Sequence, residues 1–134
     1  MEIDISQILF QIVNFSVVLA ALTFLLYKPI FKMFLERAKR IEEGQKAAQI
    51  CALNCLAAVK EVIGNLDKII EVVKLTVFVA CTADFTAQPK VANGASELIG
   101  KIFGETGKHV RSAVGVTALP LNASVEIEMI IRVE

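Results

Sequence analysis

The sequence predicts an α+β domain that follows an N-terminal membrane-spanning helix. Three observations lead to this fold class. Residues 5–27 contain no charged side chain, a long helix-forming stretch follows them, and the remainder alternates apolar β-branched runs with one more amphipathic segment. The predicted order after the span is helix, strand, helix, strand, strand. Such an order is typical of helices layered on one face of a sheet.

The uncharged run at residues 5–27 is long enough to cross a membrane. Its 23 residues would form a helix about 34 Å long at roughly 1.5 Å per residue, compared with a hydrocarbon core of about 30 Å. The alternatives are a core helix and a cleaved signal peptide. A core helix is rarely apolar all round, and Glu2 and Asp4 do not match the basic start of a signal peptide. We therefore predict a retained anchor.

Basic residues follow the run but do not precede it. Because lysine and arginine are retained on the cytoplasmic side, the N-terminus is expected outside and the rest of the chain in the cytoplasm. Pro29 lies in this basic flank and lacks a backbone donor, so we expect it to bend the helix. We therefore predict that the chain is located in a membrane and crosses it once. The basic residues of the flank are Lys28, Lys32, Arg37, Lys39 and Arg40.

The overall charge gives no support to nucleic-acid binding. The chain has 14 basic and 14 acidic residues and a pI near 6.6, and its one basic cluster is explained by the membrane flank. We predict no nucleic-acid partner. The three cysteines, Cys51, Cys55 and Cys81, and the single histidine, His109, lack the spacing of a metal site. We therefore predict buried free thiols, no metal and no cofactor.

A helix is predicted from the basic flank to Gly64 and Asn65, which are expected to end it. Its first part interleaves charges, and a broad apolar face begins after Gly44. This change separates residues 1–43, the anchor with its helical flank, from a soluble domain at 44–134. The predicted apolar face consists of Ala48, Cys51, Cys55, Ala58, Val59 and Val62.

The remaining elements follow from apolar patterning and turn residues. Pro89 suits the first turn of the next helix, and Gly104 and Gly107 are expected to end it. Three strands and two helices barely cover each other, so we expect that an element is absent. The predicted elements are a strand at Val72–Cys81, a helix from Gln88 to about Phe103 with Val91, Ala95, Leu98, Ile99 and Ile102 on its apolar side, and strands at about Val110–Thr117 and Ser124–Val133.

The first 43 residues resemble subunit b of the F-type ATP synthase. The resemblance lies in QIVNF, LLYKPIFK and ERAKRIEEG. It implies a single span that continues through a K-P-I bend into a cytoplasmic helix, with the Fo subunits as partners. It ends before the long dimerising stalk, so a stator function would be truncated.

Residues 42–134 resemble the C-terminal two-thirds of the RidA (YjgF) family, through QPKVANGASELI and RSAVGVTALPLNASVEIE. The resemblance implies a chorismate-mutase-like fold and a homotrimer whose pockets lie between subunits. It also implies hydrolysis of reactive imino or enamine acids to keto acids and ammonia. The first third of the family's domain, which supplies an aromatic residue to the pocket, has no counterpart here.

The resemblance also implies roles for individual residues. The arginine of the R-S-x-V strand binds the substrate carboxylate, and a glutamate on the last strand positions the water. These residues are Arg111 and Glu126, while Asn93 and Ala113 are expected in the substrate pocket. A planar guanidinium suits a carboxylate, and a carboxylate suits water activation. Without the motif, an arginine and a glutamate on adjacent strands would be interpreted as a surface ion pair.

Three functional hypotheses follow. The first is a membrane-tethered RidA-like domain that binds small carboxylates and hydrolyses imines. The second is a structural stator-type subunit, and the third is a junction product, fused near residues 41–46, that performs neither role. The RidA-like segment contains the only site chemistry, so the first is preferred. Whether the chain is an enzyme stays open, because part of the pocket is missing.

Overall fold

The computed structural model describes residues 5–134 and divides into two compact units. The first unit ends at Lys39, and the second spans Arg40–Glu134. Glu2 and Asp4, which entered the signal-peptide argument, lie outside the described residues.

A helical segment extends from Ile5 to Ile63. It consists of α1 (Ile5–Leu22), a π-helical turn (Thr23–Tyr27) and α2 (Lys28–Ile63). In a regular α-helix, the ring of Pro29 would clash with the carbonyl group four residues earlier, and this carbonyl lies within the π-turn. A wider turn relieves such a clash. The helix therefore has a π-turn on the N-terminal side of Pro29, and the bend expected at Pro29 stays a prediction.

The apolar helix has no cover within the described chain. Every residue from 5 to 40 is exposed, and the most apolar 18-residue window has a mean hydropathy of 2.2 with 0% of it buried. By length and composition this one helix qualifies as a candidate membrane span. A signal sequence meets the same criterion. Insertion into a membrane therefore stays a prediction.

The second unit contains a three-stranded sheet with helices on one face. The strands are β1 (Ile69–Ala80), β2 (Val110–Val116) and β3 (Val125–Val133), and helix α3 (Gln88–Phe103) connects the first two. β1 is central, with β2 parallel to it on one side and β3 antiparallel on the other. The predicted α+β class is confirmed, and α3 has the predicted bounds. β1 begins three residues earlier than predicted.

The core lies between β1 and the two helices. Alternate residues of β1, including Leu75 and Val77, are fully buried against small and branched side chains of α2 and α3. The helix residues that are buried here are Ala48, Ala52, Leu56, Val91, Ala92, Ala95 and Ile99.

The apolar face of α2 differs from the prediction. The helix turns the row formed by Ala48, Ala52 and Leu56 toward the core, so Ala58 is exposed and Val62 is 85% exposed. In α3, Leu98 is half-buried and Ile102 is exposed. The predicted faces were wrong at Ala58, Val62 and Ile102 because the sheet determines which side of each helix is covered, whereas Leu98 packs against the core as predicted.

Helices α2 and α3 approach closely at Gly94. A Cβ atom at this position would overlap the carbonyl oxygen of Gln45 and lie 2.8 Å from its carbonyl carbon. The Gln45 side chain donates a hydrogen bond to the carbonyl oxygen of Lys90 at 2.9 Å. Gly44 packs against Val91 in the same region, where a Cβ atom would lie 3.0 Å from a valine methyl group. The two glycines therefore set the separation of the helices.

Cys51 and Cys55 are free thiols, as predicted, but they are half-buried at the edge of the core. Their Sγ atoms donate to the carbonyl oxygens of Val125 (3.2 Å) and Ile127 (3.5 Å) on the edge strand β3. Burial raises the pKa of both thiols, and the negative charge of Glu126 raises the pKa of Cys51 further. These thiols are hydrogen-bond donors to strand carbonyl groups.

We expect iodoacetamide to alkylate Cys51 and Cys55 more slowly in the folded chain than in urea at pH 8. Each folded-state pKa lies above the ordinary value of 9.0, so the reactive thiolate is scarcer in the folded chain. For the same reason, the stability associated with these protonated thiols should be lost as the pH rises above about 9. Peptide mapping after timed alkylation measures the rates. Equal rates in the folded and unfolded chains would contradict this account.

Candidate functional site

Arg111 lies near the beginning of β2 and points toward α3. Its register partner on β1 is Leu75, which faces the helices, so Arg111 lies on the same face. Its Nη1 atom donates hydrogen bonds to Asn93 Oδ1 and to Ser96 Oγ, both at 3.0 Å. Asn93 and Ser96 are three residues apart on α3 and therefore share one side of the helix. The structure thus brings together Arg111 and Asn93, two of the predicted site residues.

The hydrogen-bond chain continues from Ser96 to a histidine. His109 Nε2 lies 2.9 Å from Ser96 Oγ, and His109 Nδ1 lies 2.7 Å from the carbonyl oxygen of Gly107. A carbonyl oxygen can only accept, so Nδ1 carries the proton in neutral His109 and Nε2 is an acceptor. The Ser96 hydroxyl therefore donates to Nε2 and accepts from Arg111. Each hydrogen bond along this chain therefore joins one donor to one acceptor.

A cavity of about 510 Å³ opens beside this chain of hydrogen bonds. Lys108 and Arg111 supply positive charge, and no carboxylate of the described chain lines the cavity. Lys108 also pairs with Glu105 at 2.6 Å on the surface. Such a lining favours an anionic ligand. The lining residues are Ser96, Gly100, Gly107, Lys108, His109 and Arg111.

The other two predicted site residues lie elsewhere. Ala113 is half-buried, is level with Val77 and packs against the core rather than lining this cavity. Glu126 is exposed on β3, level with Phe78, on the sheet face that points away from the helices. The expectation that Arg111 and Glu126 occupy adjacent strands is wrong. Because β1 lies between their strands, the two residues are at least roughly 10 Å apart, which is twice the inter-strand spacing.

Ser96, His109 and Gly107 were not predicted as site residues from the sequence. The sequence does indicate part of this arrangement. His109 and Arg111 are two residues apart, which places them on one face of an extended segment. Ser96 is three residues after Asn93 on the predicted helix. Nothing local in the sequence, however, placed that helix beside β2. Among residues 5–134, no group of three or more potential metal ligands is found.

A family comparison identifies the domain. Residues 9–132 match the model of the family described as "YjgF/chorismate mutase-like, putative endoribonuclease". The chain belongs to this family. The match begins inside α1 and continues across the predicted junction at residues 41–46.

Three known proteins are similar to this YjgF-family chain. The protein TCP17 of Trypanosoma cruzi is 47% identical over 93 residues, which is 69% of this chain and 58% of TCP17. The crystal structure of a protein of unknown function from Agrobacterium tumefaciens has a TM-score of 0.69 and 48% identity, covering 70% of this chain and 60% of that one. A structure from Shewanella oneidensis described as "a putative endoribonuclease" has a TM-score of 0.67 and 29% identity, covering 69% and 62%.

The chain therefore spans about three-fifths of the length of these relatives, between 58% and 62%. The aligned 93 residues of TCP17 are close in number to the second unit, Arg40–Glu134. The family match is wider and includes part of the apolar helix. None of these three relatives is described as a stator subunit, so the resemblance to subunit b stays a prediction from the sequence.

Proposed function

We propose that this YjgF-family domain binds small carboxylates, namely imino or keto acids, in the cavity beside Arg111. The proposal rests on the free donors of the Arg111 guanidinium. Both of its hydrogen bonds use Nη1, while Nε and Nη2 donate to no partner among the described residues. These two N–H groups form the fork that binds a carboxylate through two parallel hydrogen bonds. Asn93 and Ser96 hold the opposite side of the guanidinium in place.

The reaction we propose is hydrolysis of an imino or enamine acid. Water adds to the imine carbon and ammonia leaves, which yields the keto acid. Glu126 is the candidate for positioning the water. Within one chain, however, β1 lies between the strand of Glu126 and the strand of Arg111. We therefore propose that Glu126 acts in a site formed between copies of the chain, as the resemblance to the RidA family implies.

Ligand-observed NMR on the full-length chain in detergent tests the binding proposal. We expect 2-oxobutyrate to bind with millimolar or better affinity, and its neutral amide to bind far more weakly because it cannot form the ion pair. A coupled amino-acid oxidase assay with ammonia detection tests the hydrolysis. Equal signals from the acid and the amide would contradict the proposal.

The description of one relative as "a putative endoribonuclease" gives a second candidate. A phosphodiester is also an anion, and Lys108, His109 and Arg111 line the cavity. A dinucleotide added to the same NMR experiment separates the two candidates. If the dinucleotide displaces 2-oxobutyrate at a concentration lower than the one at which 2-oxobutyrate itself binds, the phosphodiester is favoured.

We propose further that residues 5–27 anchor the chain in a membrane, with the N-terminus outside and the domain in the cytoplasm. The exposed apolar helix supports this proposal. The full chain should stay in the membrane pellet through carbonate and high-salt washes, whereas a variant lacking residues 1–28 should not. Recovery of the full chain in the soluble fraction without detergent would contradict the anchor.

We expect the chain to form homotrimers in detergent. The sheet face away from the helices exposes apolar side chains, among them Val110 at 65%, Val114 at 44% and Ile130 at 56%. A partner copy would cover them. Chemical cross-linking should give a trimer, and Val114→Glu should weaken it by placing a charge on the covered face. A dimer would instead favour a stator-type association through the helical segment, and a monomer at high protein concentration would contradict both.

The stator-type subunit and the junction product remain the alternatives to a tethered domain. Co-purification with Fo subunits would support the stator role. Long sequencing reads across codons 38–50 test the junction. Separate complete genes for the two segments would support the junction product.

A further inference from the structure

We propose that Ser96 and His109 form a nucleophile–base pair that can be acylated by esters of anionic molecules. The acylation of Ser96 goes beyond carboxylate binding, and only its preference for anionic esters rests on the carboxylate site proposed above. The Ser96 hydroxyl donates to His109 Nε2 at 2.9 Å, and His109 Nδ1 donates to the Gly107 carbonyl oxygen at 2.7 Å. A nucleophilic hydroxyl, an imidazole base and a third group that orients the base are the components of serine-type catalysis. Here the third group is a backbone carbonyl.

The backbone holds the base in place. Gly107 is buried, and a Cβ atom at this position would lie 2.6 Å from the carbonyl oxygen of Ile99. Gly107 is therefore packed tightly against the last turns of α3. Ser96 lies in the middle of the same helix, Gln88–Phe103. Helix α3 and the backbone packed against it therefore hold Ser96 and His109 in fixed positions, as a catalytic pair requires.

The charges around Ser96 determine the substrate class. Arg111 Nη1 donates to Ser96 Oγ at 3.0 Å, so its positive charge stabilises negative charge that develops on this oxygen. Lys108 lines the same cavity. An ester whose acyl part carries a carboxylate would be attracted by both cations. The geometry therefore points to monoesters of short dicarboxylic acids, or similar anionic acyl groups, rather than neutral esters.

The chemistry balances without a co-reactant other than water. Ser96 Oγ attacks the ester carbonyl carbon while its proton moves to His109 Nε2. The tetrahedral intermediate collapses, and the leaving alcohol takes that proton. Water then attacks the acyl-serine, passes a proton to Nε2 and releases the carboxylic acid, after which the proton returns to Ser96. One ester and one water give one acid and one alcohol.

Covalent labelling of the full-length chain in detergent tests the proposal. A small alkyl fluorophosphonate should label Ser96, as located by peptide mass spectrometry. Ser96→Ala should remove the label, and His109→Gln should slow labelling by about 10²–10⁴-fold because glutamine accepts the hydrogen bond but cannot take the proton. Ser112→Ala is the matched control, since Ser112 lies on β2 on the opposite face from Arg111, and its rate should equal that of the unaltered chain.

Turnover of p-nitrophenyl hydrogen succinate should exceed that of p-nitrophenyl acetate, and Arg111→Lys should raise KM for the succinate ester more than for the acetate. Absence of a covalent label on the folded unaltered chain would overturn the proposal. A label on another serine, or an unchanged labelling rate in folded His109→Gln, would overturn it as well. If circular dichroism shows that a variant does not fold, the position of the label in the unaltered chain still tests the proposal.

Discussion

Gly94→Ala should lower the free energy of unfolding of the second unit by about 2–3 kcal/mol, the upper part of the range for an overpacked core. The added Cβ would overlap the backbone carbonyl of Gln45, and a backbone atom cannot move aside as a flexible side chain can. Relief would require α2 and α3 to separate. The hydrogen bond from Gln45 to the Lys90 carbonyl group would lengthen or break in the process.

Gly100→Ala is the matched control for this substitution. Gly100 lies in the same helix and is exposed, and a Cβ atom added there would point into open space with no neighbouring atom within 4 Å. Alanine is the better helix former by about 1 kcal/mol, so this variant should be as stable as the unaltered chain or more stable. Urea unfolding followed by circular dichroism in detergent compares the three chains. Similar stabilities for both variants would show that the helices do not cross at Gly94 as described.

Arg111→Ala should weaken the binding of 2-oxo acids by at least about 100-fold. Two hydrogen bonds to a charged group, each contributing about 1.5–3 kcal/mol, would be lost, and about 1.4 kcal/mol corresponds to a factor of ten. Arg111→Lys keeps the charge but lacks the planar fork, so we expect an intermediate loss of about tenfold. Glu126→Gln should leave binding unchanged, because the proposed role of Glu126 is to position the attacking water and not to hold the carboxylate, but should abolish any imine hydrolysis.

Arg132→Ala is the matched control for the loss of an arginine. Arg132 lies on β3, where it pairs with Glu71 at 2.9 Å on the exposed surface and does not line the cavity. Its removal changes the net charge by the same amount as Arg111→Ala. The affinity should therefore stay within a factor of about two, since a surface ion pair contributes roughly 0–1 kcal/mol to stability and none to this site. Equal losses in the two variants would indicate a nonspecific charge effect and would contradict a site at Arg111.

The sequence alone was sufficient to predict those helices and strands whose ends are set by neighbouring residues. Helix α3 has the predicted bounds because Pro89 suits the first helical turn and Gly104, at φ 59°, adopts a backbone conformation that favours glycine. Helix α2 ends before Gly64, at φ 80°, for the same reason. The alternation of apolar and polar residues in β3 likewise indicated a strand with one covered face.

The site residues were predicted less completely, and the difference has a physical cause. Arg111 and Asn93 were identified through a family motif, and the structure places Arg111 Nη1 and Asn93 Oδ1 3.0 Å apart. Ser96 and His109 were missed because their contact depends on how α3 packs beside β2. Hydrogen-bond partners that are distant in the chain leave no periodic signal in the sequence.

The types of the elements, their order and the apolar character of the first helix could be predicted, because propensity, turn residues and periodicity act over a few neighbouring residues. The central position of β1, with β2 and β3 on either side of it, became known only from the folded chain. That arrangement separates Arg111 from Glu126 and instead brings Arg111 to Ser96 and His109. Strand order depends on which surfaces bury the most apolar area together, and this is a property of the whole chain rather than of any segment.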